Sequence, residues 1–181
     1  MTATIHPIAA IRFGDEDAID DILEDVARRM QDRGSRVDGF LQRETAGEGG
    51  CCATMHLESM DGQTIGTISQ NLGRHSRGCR LDPAALAALC GPLITRLDVG
   101  CDLLIINRFG KGESLGAGFR SAIEHAFLRG IPVLTAVRKT YLEAWMAFTN
   151  GEYCLLPPQA DAVEAWALQT AAANGPLLRA S

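Results

Sequence analysis

Apolar positions recur along the chain in two rhythms, short unbroken runs and one-sided stripes with members three or four residues apart. The run over 7–13 stops at Gly14 and predicts a buried first strand. Ile19, Ile22, Leu23, Val26 and Met30 then fall at helical spacing. Acidic residues lie early in that stretch, Arg28 and Arg29 late and Gly34 at its end, which predicts a helix capped by Asp15. Residues 36–42 supply a second strand, and the glycine-rich stretch 44–50 reads as a surface loop. Two strand-like stretches, 52–58 and 63–70, flank Met60-Asp61-Gly62, whose Asp-Gly pair favours a hairpin, with His56 on its wetter face.

Asp82 and Pro83 open a second helix that carries Leu86, Leu89, Leu93, Ile94 and Leu97 on one side, with an interruption expected at Gly91-Pro92. The run over 101–106 is apolar throughout its centre, as a strand covered on both faces requires, so it is expected in the middle of a sheet. A glycine-containing turn is expected over 107–112, a helix over 114–129 and a buried strand over 131–137. A short helix over 141–148, a strand over 153–156 and a last helix over 160–172 complete the pattern. Strands alternating with helices predict a three-layer, doubly wound, mostly parallel α/β sheet with one antiparallel β-hairpin insertion. With 181 residues, one domain is expected, its core over about 7–173.

Composition narrows the function classes. A net charge of −5 opposes a general nucleic-acid binder, which presents a basic field to phosphates. The chain has no apolar run of membrane-spanning length and no leader pattern, so a cytoplasmic protein without membrane insertion is expected. Six cysteines without a Cys-x-x-Cys pair read as reduced thiols, and no metal site is expected. The cations are fifteen arginines plus Lys111 and Lys139, a bias that suits oxyanion contacts and that coding composition also produces.

Ligands of open α/β sheets bind beyond the carboxyl ends of the strands, which selects Gly14-Asp15-Glu16, the stretch 107–113 and Arg138-Lys139. The stretch 71–80 brings Arg74, His75, Ser76, Arg77, Cys79 and Arg80 together among glycines before a capped helix, and could close over the same edge. The expected ligand-binding set is therefore Arg74, His75, Ser76, Arg77, Cys79, Arg80, Asn107, Lys111 and Glu113, with catalytic residues left unassigned. Asn107 equally suits a turn former bonded to its own backbone, and Glu113 a carboxylate placed favourably at a helix start. Cys79 is also readable as an inert small apolar side chain.

Ile68-Ser69-Gln70-Asn71-Leu72-Gly73, Gly78-Cys79-Arg80-Leu81-Asp82, the stretch from Asp102 to Lys111 and Gly130-Ile131-Pro132-Val133-Leu134-Thr135-Ala136-Val137 together resemble a bacterial domain family of unknown function. That family is often encoded near molybdenum-transport genes. It resembles, more distantly, the small P-loop nucleoside triphosphatases, which implies their order of strands and helices in a degenerate form. Two departures stand out. Phe13-Gly14-Asp15-Glu16-Asp17-Ala18 occupies the place of a G-x-x-x-x-G-K-[ST] phosphate loop, and Asn107-Arg108 the place of the magnesium-holding carboxylates. Conventional ATP or GTP hydrolysis is therefore not expected.

The leading expectation is a binding or regulatory protein for a small oxyanion or a nucleotide phosphate, linked by the resemblance to molybdenum metabolism. It needs no cofactor beyond that bound anion and could act as a homodimer. A nucleotide hydrolase or phosphotransferase with a remodelled site, and a protein-interaction adaptor on a catalytically dead nucleotide fold, stay open as alternatives.

Overall fold

The computed structural model describes residues 6–45, 54–69 and 82–174. Leu103, Leu104, Ile105 and Ile106 are at most 1% exposed there. Their strand, β5 (Leu103–Phe109), is the middle member of a seven-stranded sheet. Around it lie β1 (Ile8–Phe13), β2 (Val37–Thr45), β3 (Thr54–Ser59), β4 (Thr64–Thr67), β6 (Val133–Arg138) and β7 (Cys154–Leu156), in the order β4-β3-β2-β5-β6-β1-β7. β2, β5, β6, β1 and β7 are mutually parallel, whereas β3 and β4 pair antiparallel beyond β2. The doubly wound sheet with its hairpin insertion is thus present, and the hairpin forms one sheet edge.

Helices cover both faces. Leu23, Val26 and Met30 of α1 (Ile19–Asp32) pack with Val163 and Trp166 of α6 (Ala160–Asn174) over Ile11, Ile105 and Leu134. On the other face, Leu93 and Leu97 of α2 (Pro83–Val99), Ile123 of α4 (Arg120–Leu128) and Trp145 of α5 (Leu142–Phe148) cover Leu104, Ile106 and Val133. Alternate residues of β5 feed the two cores, because successive strand side chains point to opposite faces. At Gly39 the backbone of β2 comes so near β5 that a Cβ there would lie 1.8 Å from the Ile105 carbonyl oxygen, at a φ of +126°. Only glycine fits that crossing.

Several local expectations are corrected. Asp15 does not cap α1: the helix begins one turn later, with Ala18 at its cap and no side-chain cap bond, because Asp17 Oδ2 instead accepts from Gly14 N at 2.7 Å. Asp82 does cap α2, accepting from Ala84 N at 2.9 Å. That helix continues across Gly91-Pro92, with Pro92 on its exposed side, where the carbonyl deprived of its donor is open to solvent. Glu44 belongs to β2 and not to a loop.

The largest correction lies after Ile106. A register shift between Ile106 and Phe109 prolongs β5, so Asn107 and Arg108 are strand residues and the turn is confined to Gly110. The helix expected over 114–129 is split into a single turn, α3 (Lys111–Ser114), and α4, with Gly116 and Gly118 at positive φ between them.

Candidate functional site

The carboxyl ends of β1, β5 and β6 meet around the ring of Phe13. Arg108, from the end of β5, and Arg138, from the end of β6, place their guanidinium carbons 5.6 Å and 5.0 Å from its centroid. Cations sit favourably over an aromatic face, and the two arginines are held as a pair flanking one ring. Their charges are already engaged. Arg138 bonds Asp15, and Arg108 Nη2 donates to both oxygens of Asp20 at 3.2 Å and 3.1 Å. Asn107 Nδ2 adds a third bond to Asp20 Oδ1 at 3.1 Å.

Carboxylates therefore cluster where β1 leads into α1. Gly14, Asp15, Asp17, Asp20 and Asp21 surround a small recess of about 240 Å³ with Arg108 and Arg138 on its rim. A phosphate entering it meets like charge unless a carboxylate first gives up its arginine.

A larger cavity, about 620 Å³, opens on the opposite side of the same arginines. Phe40 and Leu57 from β2 and β3, Ile68 and Leu86 from either side of the stretch 70–81, and Phe109 and Phe119 give it apolar walls. Phe40 and Phe119 meet with centroids 5.2 Å apart, forming a continuous aromatic surface. Lys111 stands exposed beside the cavity with no ion-pair partner among the described residues. Gln42 is 9% exposed in the wall, and among the described residues its Nε2 donates only to the Met55 sulfur at 3.3 Å.

Glu113 holds this cavity's outer loop together. It is 6% exposed, with Oε2 accepting from Gly110 N at 3.1 Å and Oε1 from Phe119 N at 3.0 Å. A Cβ on Gly118 would come within 2.1 Å of Oε1, so that glycine, at a φ of +61°, leaves the carboxylate its place. Glu113 is thus turned inward onto its own loop.

Of the residues expected from sequence, Asn107, Lys111 and Glu113 are brought to the selected edge. Asn107 is no turn former: it is 5% exposed on β5 and joins the strand to α1 through Asp20. Arg74, His75, Ser76, Arg77, Cys79 and Arg80 lie outside the described residues. The residues that flank them are close to each other, Asp82 N donating to Ile68 O at 2.7 Å. Sequence reasoning missed Gln42, whose signal was a lone amide following Phe40-Leu41 in an otherwise buried strand, and it missed the pairing of Arg108 and Arg138 with Asp20 and Asp15.

Among the described residues no three His, Cys, Asp or Glu side chains converge on a metal-sized position. Burial pushes the Cys101 thiol up to about 12 and raises that of Cys90, so neither supplies a thiolate near neutrality.

A family model described as a protein of unknown function (DUF2478) matches residues 8–166, most of the chain. The chain belongs to the DUF2478 family. The molybdenum import ATP-binding protein ModC 2 of Bradyrhizobium diazoefficiens is 36% identical over 167 residues, 91% of this chain but 18% of that protein. The chain thus spans less than a fifth of that relative's length.

Two solved structures share the DUF2478 chain's fold. One is a human cancer-related nucleoside triphosphatase, with a TM-score of 0.63 at 15% identity, covering 98% of this chain and all of that one. The other is THEP1 of Aquifex aeolicus, with a TM-score of 0.59 at 10% identity, covering 90% of this chain and 95% of that one. The fold resembles that of P-loop nucleoside triphosphatases. No helix among the described residues is long and apolar enough to cross a membrane.

Proposed function

We propose that this chain binds a phosphate-bearing small molecule at the carboxyl edge of its sheet, as a binding or regulatory protein without conventional nucleoside triphosphate hydrolysis. The observation that carries this reading is the cavity of about 620 Å³ beside Lys111, Arg108 and Arg138. Its volume lies in the range of small-molecule sites, roughly 300–1,000 Å³, whereas an inorganic oxyanion would fill only a corner of it. Of the two ligand classes named from sequence, the nucleotide phosphate is therefore favoured over the free oxyanion.

Lys111 supplies a point charge free to meet an anion. Arg108 keeps Nε buried and unpaired among the described residues, a donor still to be used. The arginines of the stretch 70–81 enter the proposal because Ile68 and Leu86, on its two sides, both line the cavity. The name of the Bradyrhizobium relative supports a molybdenum-linked setting for the binding.

Calorimetric titration of orthophosphate, sulfate, molybdate, AMP and ATP at two salt concentrations tests the reading. Binding in the micromolar to low-millimolar range is expected, falling as salt rises. Arg80→Ala should weaken it by roughly ten- to a hundredfold, the usual loss for a charge-assisted bond. Lys111→Ala should do less, because an exposed ammonium is strongly hydrated. Absence of binding by every anion, or an equal loss in Arg28→Ala, whose side chain pairs with Asp25 and Asp32 on α1 away from the cavity, overturns the proposal. Magnesium-dependent hydrolysis that copurifies with the chain and disappears in Lys111→Ala overturns its non-hydrolytic part.

A further inference from the structure

The wall of the large cavity contains one polar feature that the anion reading does not use. Gln42 lies on β2 between two apolar partners of the hairpin, opposite Leu57 and bonded through Nε2 to Met55 Sδ at 3.3 Å. A thioether is a weak acceptor, and a primary amide carries two donor hydrogens and a carbonyl with two lone pairs. None of the described residues donates to the Gln42 carbonyl oxygen. With the side chain 91% buried, as its exposure of 9% implies, a molecule in the cavity is well placed to complete the amide's bonds.

The surroundings define what that molecule is. Phe40 and Phe119 form an aromatic wall, with Leu57, Leu86 and Phe109 among the other lining residues, so a ligand body that is flat and apolar on its faces fits against it. The amide of Gln42 offers a donor and an acceptor side by side, which matches a ring edge bearing one of each. Phe40, Phe119 and the Gln42 amide carry no charge and favour a neutral ring against them, although Glu44 also lines the cavity. Lys111 stands at the outer loop of the same cavity, where a charged substituent of the ring would emerge.

We infer that this cavity is a base compartment: it takes an uncharged nucleobase-type heteroaromatic ring, stacked on Phe40 and Phe119 and read along its edge by Gln42, with the phosphate leaving toward Lys111. The inference rests on the reading that a phosphate-bearing ligand binds here, and it names the other half of that ligand. It also places the base on the hairpin side of Arg108, away from the acidic recess after β1.

Titration of the full chain with adenosine, guanosine, cytidine and uridine, with their 5′-monophosphates and with orthophosphate separates the two halves. At least one nucleoside should bind without any phosphate, and its monophosphate should bind more tightly. Gln42→Leu, which keeps the volume and removes the amide, should weaken that nucleoside by about tenfold and flatten the ranking of the four bases. Orthophosphate affinity should be unchanged in this variant. Gln42→Glu keeps the acceptors but brings charge, and should weaken the same nucleoside at least as much while thermal melting shows the chain folded.

If orthophosphate and all monophosphates bind equally and no nucleoside binds, the base compartment is wrong and the anion site stands. If a nucleoside binds and its monophosphate is no tighter, the compartment stands and the anion reading fails. Undiminished nucleoside binding by folded Gln42→Leu overturns the role of Gln42 and with it the inference.

Discussion

Phe13 separates two recesses of opposite character. In the smaller one, Asp15, Asp17 and Asp20 already have donors from Arg138, Gly14 and Arg108. In the larger one the walls are apolar, and Gln42 and Lys111 have almost nothing to bond among the described residues. A ligand gains free energy where it completes bonds and loses it where it must break them. On that ground the proposed binding place is the space between the hairpin and the split helix and not the loop after β1, where the resemblance to P-loop proteins directs attention.

The strongest way to break the comparison is to disrupt the sheet that carries both recesses. Gly39→Ala pushes a methyl group into the Ile105 carbonyl oxygen, 1.8 Å away, at a φ that side chains rarely adopt. With β2 forced from β5, a loss of roughly 4 kcal/mol or more is expected, exceptional for one methyl group. Chemical denaturation of the variant, or its failure to accumulate as folded protein, checks this. A variant as stable as the parent would mean that the two strands do not approach so closely.

A smaller effect confined to the larger recess comes from Glu113→Ala. It strips the acceptors from Gly110 N and Phe119 N, and two buried donors left open should cost on the order of 2–4 kcal/mol. Glu113→Gln keeps one carbonyl oxygen and should lose about half as much. Urea midpoints of the two variants, with unchanged slopes, give the ordering. Equal stability of both with the parent would show that the loop between β5 and α4 does not need its carboxylate.

The smallest and most pointed test reverses the contrast. Asp20→Asn removes one negative charge from the acidic recess and loosens Arg108, which should raise orthophosphate affinity by about tenfold. Because the Asp20 and Arg108 side chains are 36% and 30% exposed, the melting midpoint should fall by only about 2–4 °C. Unchanged phosphate affinity in a folded variant would mean that the carboxylates do not guard this recess.

Periodicity made β1, β5 and the helix over α1 legible, because strands buried on both faces and one-sided helices write their burial directly into residue order. The hairpin was equally readable from Asp61-Gly62. What periodicity does not carry is the register shift after Ile106, which turned an expected turn at Asn107 into three more strand residues. Nor does it carry pairings across long separations. Asp20 meets Arg108 from 88 positions away, and Asp15 meets Arg138 from 123. Asn107, Lys111 and Glu113 were thus legible as residues of one sheet edge, while the division of that edge into a paired and an unpaired recess depended on contacts that no local pattern encodes.

The bond triangle at Asp20 also constrains how such a loop can change over generations. Its carboxylate answers to Asn107 and Arg108 on β5 together. Replacing it alone strands a guanidinium; replacing Arg108 alone strands a carboxylate; introducing a glycine-rich loop there would do the first and add the loss of Asp15 from Arg138. Each single step is a descent, and only several substitutions arriving together climb out. The acidic loop is in this sense a one-way door, a sequence state easier to enter than to leave.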